Sequence, residues 1–341
     1  MSEEKNMNQQ ISQQEIHKYG FTSLQQYRFP RIVNLCVIRG DCPCQCIHCP
    51  VGKTTPSERY EKFGKEEISL QLFKKIVAEM SIFHQSTLRI HGVGEPLMWK
   101  NLSKGLEFSS NKNVRTWLFT SLITRDILLL EELVSNANII EISINSFDSD
   151  NYKYTKGIEA FSIVENNLNI MREIVQKKNL STRIIASRVE SEDKQYDSEF
   201  ITHWKKSKLL DDVFIRSYHD YNAIIDNTFQ RKQNEILQCL VHWNRFNIDC
   251  DGSAVICFNE LFRGKSSDSG LIFGNIRDCS ICDLWHCNKL NIIRRAQMEK
   301  NYSIVNFTKH LPCINCSSCQ PSGNLSTTSE CQIFALKKEN I

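Results

Sequence analysis

Cys42, Cys46 and Cys49 stand at the spacing C-x3-C-x2-C inside the run Gly40-Asp41-Cys42-Pro43-Cys44-Gln45-Cys46-Ile47-His48-Cys49-Pro50. Thiolates bind zinc and iron–sulfur clusters, and a four-iron cube is ordinarily closed by four cysteines. A loop offering three leaves one iron open to another ligand, and an open coordination position is where metal chemistry takes place. Cys44 is a fourth thiol in the same run, but only the set 42, 46 and 49 gives the x3/x2 spacing. It is read as a spare. Zinc would accept the same loop, and the spacing alone leaves that reading open.

A second cysteine field lies far downstream. Cys239 and Cys257 frame a C-x12-G-x4-C unit through Gly252, and Cys313-x2-Cys316-x2-Cys319 follows, with Cys331 beyond. Of the 15 cysteines, five lie between Cys36 and Cys49, ten between Cys239 and Cys331, and none in between. A disulfide scaffold would not leave that gap, whereas two metal-binding regions flanking a cysteine-free body would. A structural zinc site makes similar demands on the second field. Cys250, Cys279, Cys282 and Cys287 match no ligand position and are expected to pack as small apolar residues.

Other elements must bring these loops together. Apolar, β-branched runs at 31–38, 87–91, 116–119, 139–145, 182–187 and 212–217 read as strands. The segments 69–83, 102–110, 126–135, 161–177 and 198–208 have helical spacing. Six strands alternating with helices predict an α/β fold with a parallel sheet, doubly wound or a partial barrel. In either, ligands gather at the carboxyl ends of the strands. The Cys42–Cys49 loop follows the first strand, and the turn Gly92-Val93-Gly94-Glu95-Pro96 follows the second, so both open on one mouth. Past about residue 222 the alternation fades. Short β pieces at 246–249 and 254–257 flank Asp251-Gly252, a hairpin turn signal, and a helix is expected at 288–299. Three regions result: a polar lead-in, flexible or loosely helical, over 1–30; the α/β body over 31–225; and a small metal-dependent domain over 226–341.

With the cysteine loop after strand one and the glycine turn after strand two, the chain from Arg31 onward resembles the radical S-adenosylmethionine (radical SAM) enzymes. The resemblance implies a partial (β/α)6 TIM-like barrel. It implies a [4Fe-4S] cluster on Cys42, Cys46 and Cys49, whose open iron takes the amino and carboxylate groups of SAM. Gly92, Gly94 and Glu95 then form the turn against the methionine part. His48 stands where the family usually places an aromatic ring near the adenine. Thr120-Ser121 and Ser143-Ile144-Asn145-Ser146 correspond to positions that contact the ribose or the SAM carboxylate. Ser143, Asn145 and, after strand five, Arg188 are the foremost of these. The GxIxGxxE adenine motif is not evident, and that contact has no residue assigned.

The second cysteine field, with Gly274-Asn275-Ile276, Asp283-Leu284-Trp285 and Arg294-Arg295, is similar to the SPASM domain and its shorter "twitch" relatives. The full two-cluster pattern has C-x2-C-x5-C-x3-C, whereas this chain has C-x2-C-x2-C and a long gap to Cys331. That departure implies one auxiliary cluster, on Cys239, Cys257, Cys313 and Cys316. Cys319 and Cys331 remain available to a second cluster or as replacement ligands.

The resemblance further implies an external one-electron reductant such as flavodoxin or ferredoxin, and cleavage of SAM to methionine and a 5′-deoxyadenosyl radical that removes hydrogen from a C–H bond. If the auxiliary cluster takes the second electron, the substrate is oxidised. If a thiol returns hydrogen, it is epimerised, and Cys250 in the hairpin is the candidate donor. Peptide-modifying members often carry an added N-terminal recognition domain, for which a 30-residue lead has no room. The expectation is therefore a small polar substrate, a sugar or aminocyclitol, with maturation of a peptide or protein side chain as the alternative. Glu190, Asp220 and Asp249 are acidic candidates for its amine or hydroxyls. A non-catalytic iron–sulfur or zinc scaffold is the alternative of another class.

The bulk composition agrees with a globular chain. Of 341 residues, 41% are hydrophobic and 24% charged, and the net charge of +3 argues for neither nucleic acid nor membrane partners. No apolar run approaches the roughly 18 residues needed to span a bilayer. The first 30 residues lack the apolar core of a signal peptide, and a cytoplasmic location is expected.

Overall fold

The computed structural model describes residues 13–221, 224–225, 236, 238–264 and 269–316; Cys319 and Cys331 lie outside them. The first part of the chain runs α1 (Gln13–Lys18), α2 (Leu24–Arg28), β1 (Ile32–Arg39), α3 (Pro50–Lys53), α4 (Pro56–Phe63), α5 (Leu70–Met80) and β2 (Thr87–Val93). There follow α6 (Leu102–Asn111), β3 (Arg115–Thr120), α7 (Ile127–Asn136), β4 (Ile139–Ser143), α8 (Ser149–Lys156), α9 (Phe161–Lys177), β5 (Arg183–Val189), α10 (Lys194–Ser207) and β6 (Asp212–Arg216). The last part holds α11 (Val241–Asn244), β7 (Arg245–Ile248), β8 (Ser253–Val255), β9 (Ile272–Asn275), α12 (Ile281–Trp285) and α13 (Asn288–Met298).

One nine-stranded sheet has the order β6-β5-β4-β3-β2-β1-β7-β8-β9. Strands β1 to β6 are parallel and neighbour one another in chain order. A doubly wound sheet reverses its strand order at a switch point; this one does not, and sequential parallel order is the winding of a barrel. β6 and β1 are not paired, so the barrel is partial. Helix starts follow local chemistry: Ser69, Asp126, Asp148 and Asp193 each accept a backbone N–H from the first turn of α5, α7, α8 and α10. Asp193 starts α10 at Lys194, four residues before the segment expected from spacing. Two polar helices, α4 and α8, were not expected at all.

Strand alternation sorts the barrel interior into layers. Ile32, Trp117, Ile139 and Ile185, all fully buried, make an apolar floor with Phe214. Two residues further along their strands, Asn34, Phe119, Glu141, Ser187 and Arg216 stand above that floor. The polar mouth is therefore sealed from below.

The C-terminal part continues the same sheet. β7 lies parallel to β1, with Asn34 opposite Asn247, and the Asp251-Gly252 turn joins β7 to antiparallel β8. The lead-in is packed over its described residues, because Phe21 and Phe29 are buried. Gln26 Nε2 donates to Asn244 Oδ1 at 2.8 Å, Trp285 Nε1 to Gln26 O at 3.1 Å and Trp243 Nε1 to Tyr19 O at 2.8 Å.

Candidate active site

The cysteine loop leaves β1 at Arg39 and is held on three sides. Gly40 N–H bonds Val93 O at 2.9 Å, tying the loop to the end of β2. Glu95 N–H bonds Asp41 O at 2.6 Å, and a Cβ on Gly94 would sit 2.5 Å from that same oxygen. The turn therefore needs glycine for close backbone approach. On the second side, Gln45 N–H and Ile47 N–H bond the carbonyls of Lys156 and Thr155 at the end of α8, at 2.7 and 3.2 Å. The third support is Arg59 of α4, buried, which donates to Cys42 O at 2.6 Å, Cys44 O at 2.8 Å and Thr54 O at 3.2 Å.

The thiols so placed are uncomfortable without a metal. A hydrogen bond with Cys42, then burial, pushes Cys44 up to about 12. Burial pushes Cys49 up to about 11, and the Cys44 hydrogen bond and burial raise Cys46 well above the ordinary thiol range. Metal binding is what makes such sulfurs stable as thiolates. An apolar shell of Cys36, Val51, Phe63, Val93, Leu261 and Phe262 packs against Cys42 and Cys49.

Facing the loop is a fixed polar wall. Glu95 accepts from Thr120 Oγ1 at 2.6 Å, Ser121 N at 2.8 Å and Leu97 N at 3.2 Å. Lys156 is 2% exposed, and its Nζ donates to Ser143 Oγ at 3.0 Å. Burial opposes its charge, but Cys46, Cys44, Cys42 and Glu95 outweigh burial and raise its pKa. His48 is pushed down to about 3 by burial and by the charges of Lys156 and Arg188, so its ring is neutral.

Deeper in the barrel, Arg216 Nε and Nη2 bond Glu141 at 2.8 and 2.6 Å, and Arg89 Nη2 lies 3.6 Å from the same carboxylate. Burial raises the Glu141 pKa, yet Arg216 and Arg89 overcome it and hold the carboxylate ionised. His91 stacks on Phe258 at 3.6 Å; burial first, then Arg89, Arg216 and Arg245, keep it neutral.

The auxiliary set, Cys239, Cys257, Cys313 and Cys316, is gathered at the far side. Burial, then mutual repulsion with Cys239 and Cys316, raises Cys257 and Cys313 strongly. Among the described residues, no three His, Cys, Asp or Glu side chains group tightly enough to hold a single ion. One cavity of about 270 Å³ connects everything: it is lined by Cys42, Cys46 and Cys49, by Gly92, Gly94 and Glu95, and by all four auxiliary cysteines.

Comparison with known proteins places this architecture. Residues 239–320 match the SPASM family, an iron–sulfur cluster-binding domain. BtrN, solved in complex with AdoMet and 2-DOIA, shares the fold at 15% identity and TM-score 0.50, over 88% of this chain and 96% of that one. Streptococcus suis SuiB bound to the precursor peptide SuiA aligns at 13% identity and TM-score 0.60, over 85% of this chain and 70% of that one. Native anSMEcpe with bound AdoMet aligns at 13% identity and TM-score 0.56, over 90% of this chain and 96% of that one. The chain shares the fold of these proteins, and its C-terminal part matches the SPASM domain. No curated protein matches it in sequence.

In this partial barrel, most residues singled out from the sequence meet at the mouth. His48 and Ser143 line the cavity with the cysteine loop and the glycine turn. Asn145 stands behind it in a left-handed conformation (φ 60°). Its amide bonds Ser143 Oγ at 3.1 Å, Val189 N at 2.7 Å and His48 Nε2 at 3.4 Å. Arg188 does not line the cavity. It pairs with Asp197 at 2.8 Å, bonds Asn145 O and lies over the Tyr196 ring. Cys250 is buried in the hairpin against Cys36, also outside the lining, and Cys279, Cys282 and Cys287 pack against the main core. Asp249 pairs with Arg39, Glu190 takes Tyr218 N and Lys194, and Asp220 is buried outside the lining. Arg59 and Lys156 are the residues sequence reasoning missed. Pro56 at a helix start, and Asp148 and Gly157 bracketing α8, were the available signals.

Proposed function

We propose that the chain is a radical SAM enzyme that oxidises a small polar substrate, a sugar or aminocyclitol. In this reading Cys42, Cys46 and Cys49 hold a four-iron cluster, SAM lies against Gly92, Gly94 and Glu95, and Cys239, Cys257, Cys313 and Cys316 hold an auxiliary cluster. One observation carries it: both sets of thiols and the glycine turn line a single cavity. Held by these residues, the first cluster would supply the electron, drawn from flavodoxin or ferredoxin, for reductive cleavage of SAM, and the auxiliary cluster would offer an acceptor for the electron left on the substrate.

The chain's own residues bind, orient and exclude water. Lys156, beside Ser143 and the thiols, is the cation suited to the SAM carboxylate. The cavity-lining backbone of Gly92, Gly94 and Glu95 serves the amino group, and the neutral His48 ring serves the adenine. Glu95, already engaged by Thr120 and Ser121, fixes the turn. Oxidation is favoured over epimerisation because Cys250 lies outside the cavity lining. Peptide maturation is the second reading, favoured by the fold shared with SuiB in its precursor-peptide complex.

Anaerobic reconstitution tests the proposal. Reductant-dependent formation of 5′-deoxyadenosine from SAM is expected, abolished by Cys42→Ala, with roughly eight irons per chain for two cubes. A protein that takes up zinc and never cleaves SAM would refute it.

A further inference from the structure

Among the described residues, several buried polar atoms of the cavity lining have no hydrogen-bond partner, His91 Nε2 and Ser121 Oγ among them; for two others, Asn34 Oδ1 and His242 Nε2, the neighbouring bonds fix what each can do. Asn34, on β1 and 3% exposed, spends its amide N–H on Asn247 Oδ1 at 2.8 Å, and its Oδ1 is left with no bond. A carbonyl oxygen only accepts. His242, on α11 and 2% exposed, has Gln297 Nε2 at 3.0 Å from its Nδ1. The Gln297 amide is oriented by its other end, since Oε1 accepts Cys239 N–H at 2.9 Å. Its NH2 therefore faces Nδ1, which must carry the lone pair. The proton is then on Nε2, and that N–H is buried with no acceptor. Both residues line the cavity, and Gln297 joins His242 to Cys239.

Orphaned buried polar atoms are rare in folded proteins, and each costs free energy until a ligand or water meets it. One atom here demands a donor and the other an acceptor. A hydroxyl is both. Anions would be repelled by the Asn34 oxygen, and an ammonium group offers nothing to the His242 N–H. We infer that the wall formed by β1 and α11 is a hydroxyl-binding subsite, in which Asn34 Oδ1 accepts from, and His242 Nε2–H donates to, hydroxyl groups of a polyhydroxylated substrate. The inference rests on the reading of the cavity as a substrate site and narrows it: specificity comes from the hydroxyls of the substrate. A site built to bond hydroxyls rejects analogues that lack them far more strongly than an apolar pocket discriminates by size.

The test is calorimetric titration of the reconstituted protein with SAM present, using myo-inositol, glucose and glucosamine against cyclohexanol. Binding by at least one polyol and none by cyclohexanol is expected. Asn34→Leu and His242→Phe should each weaken that binding about tenfold, while His242→Asn, which keeps a donor, should restore most of it. Iron content and thermal melting certify that each variant is folded, and if one variant fails, the other decides. Failure of every polyol to bind, equal binding of cyclohexanol, or undiminished affinity in a folded variant overturns the inference. Because the titration requires no SAM cleavage, its outcome is separate from that of the 5′-deoxyadenosine assay.

Discussion

Replacing Arg59 with methionine should loosen the cysteine loop without disturbing the barrel. The guanidinium is 4% exposed and makes two bonds to the loop itself, to the carbonyls of Cys42 and Cys44. A charge-assisted hydrogen bond contributes about 1.5–3 kcal/mol net, and methionine fills the aliphatic volume while leaving both carbonyls unmet. Since bonds from one side chain are not additive, about 3 kcal/mol is the expected total. That corresponds to roughly a hundredfold in the balance between closed and open loop. With the proposed cluster on this loop, release of iron to an added chelator should accelerate by up to about a hundredfold. The assay is anaerobic reconstitution followed by a chelator chase, with denaturant unfolding of the metal-free protein alongside. Arg59→Lys keeps the charge but not the fork and should fall between. Iron release at the wild-type rate from folded Arg59→Met would refute the reasoning.

Other consequences are as direct. Gly94→Val places side-chain carbon against Asp41 O, and overpacking of this kind costs about 1–3 kcal/mol; it should abolish SAM binding in equilibrium dialysis while the far-UV spectrum is kept. Lys156→Met should weaken SAM binding at least about tenfold with iron content unchanged, and loss of iron instead would show that the lysine acts on the loop alone. His286, packed against the Tyr27 ring at a tilt, is pushed down to about 4 by burial and Arg294. A histidine with a lowered folded pKa contributes stability that is present above about pH 6.5 and lost as pH falls towards 4, at about 1.4 kcal/mol per pH unit. In His286→Phe the acid limb of the stability profile should flatten accordingly, and an unchanged slope in urea titrations across that window would count against burial as the cause.

The barrel was legible because its strands are short β-branched runs separated by well-capped helices. Those are local signals, and the order of β1 to β6 in the sheet is simply their order in the chain. The placement of the cysteine loop after β1 was legible for the same reason, since its three thiols lie within eight residues of chain. What stayed hidden is tertiary. Arg188 reads as a free cation at a strand end, but Asp197, nine residues on, claims it once α10 folds back. α4 and α8 are polar helices without an apolar stripe long enough to announce them, yet they deliver Arg59 and Lys156. His242 and Asn34 acquire meaning only when β7 pairs with β1, a juxtaposition no window of sequence contains. The packed lead-in is of the same kind, because Phe21 and Phe29 are isolated aromatics in a polar stretch.

The pairing of β1 with β7 also bears on how the chain is made. Asn34 and Asn247 are 213 residues apart, so one edge of the first strand stays open until almost three quarters of the protein has been synthesised. At about 5–20 residues per second, that interval is roughly 10–40 s. During it, an apolar strand edge beside the nascent cysteine loop is open to pairing with other chains. Ribosomes stalled before residue 248 should therefore yield nascent chains that aggregate or engage chaperones, and release past β7 should relieve this. The strand that joins the two halves of the sheet is also the one that ends the chain's period of greatest exposure.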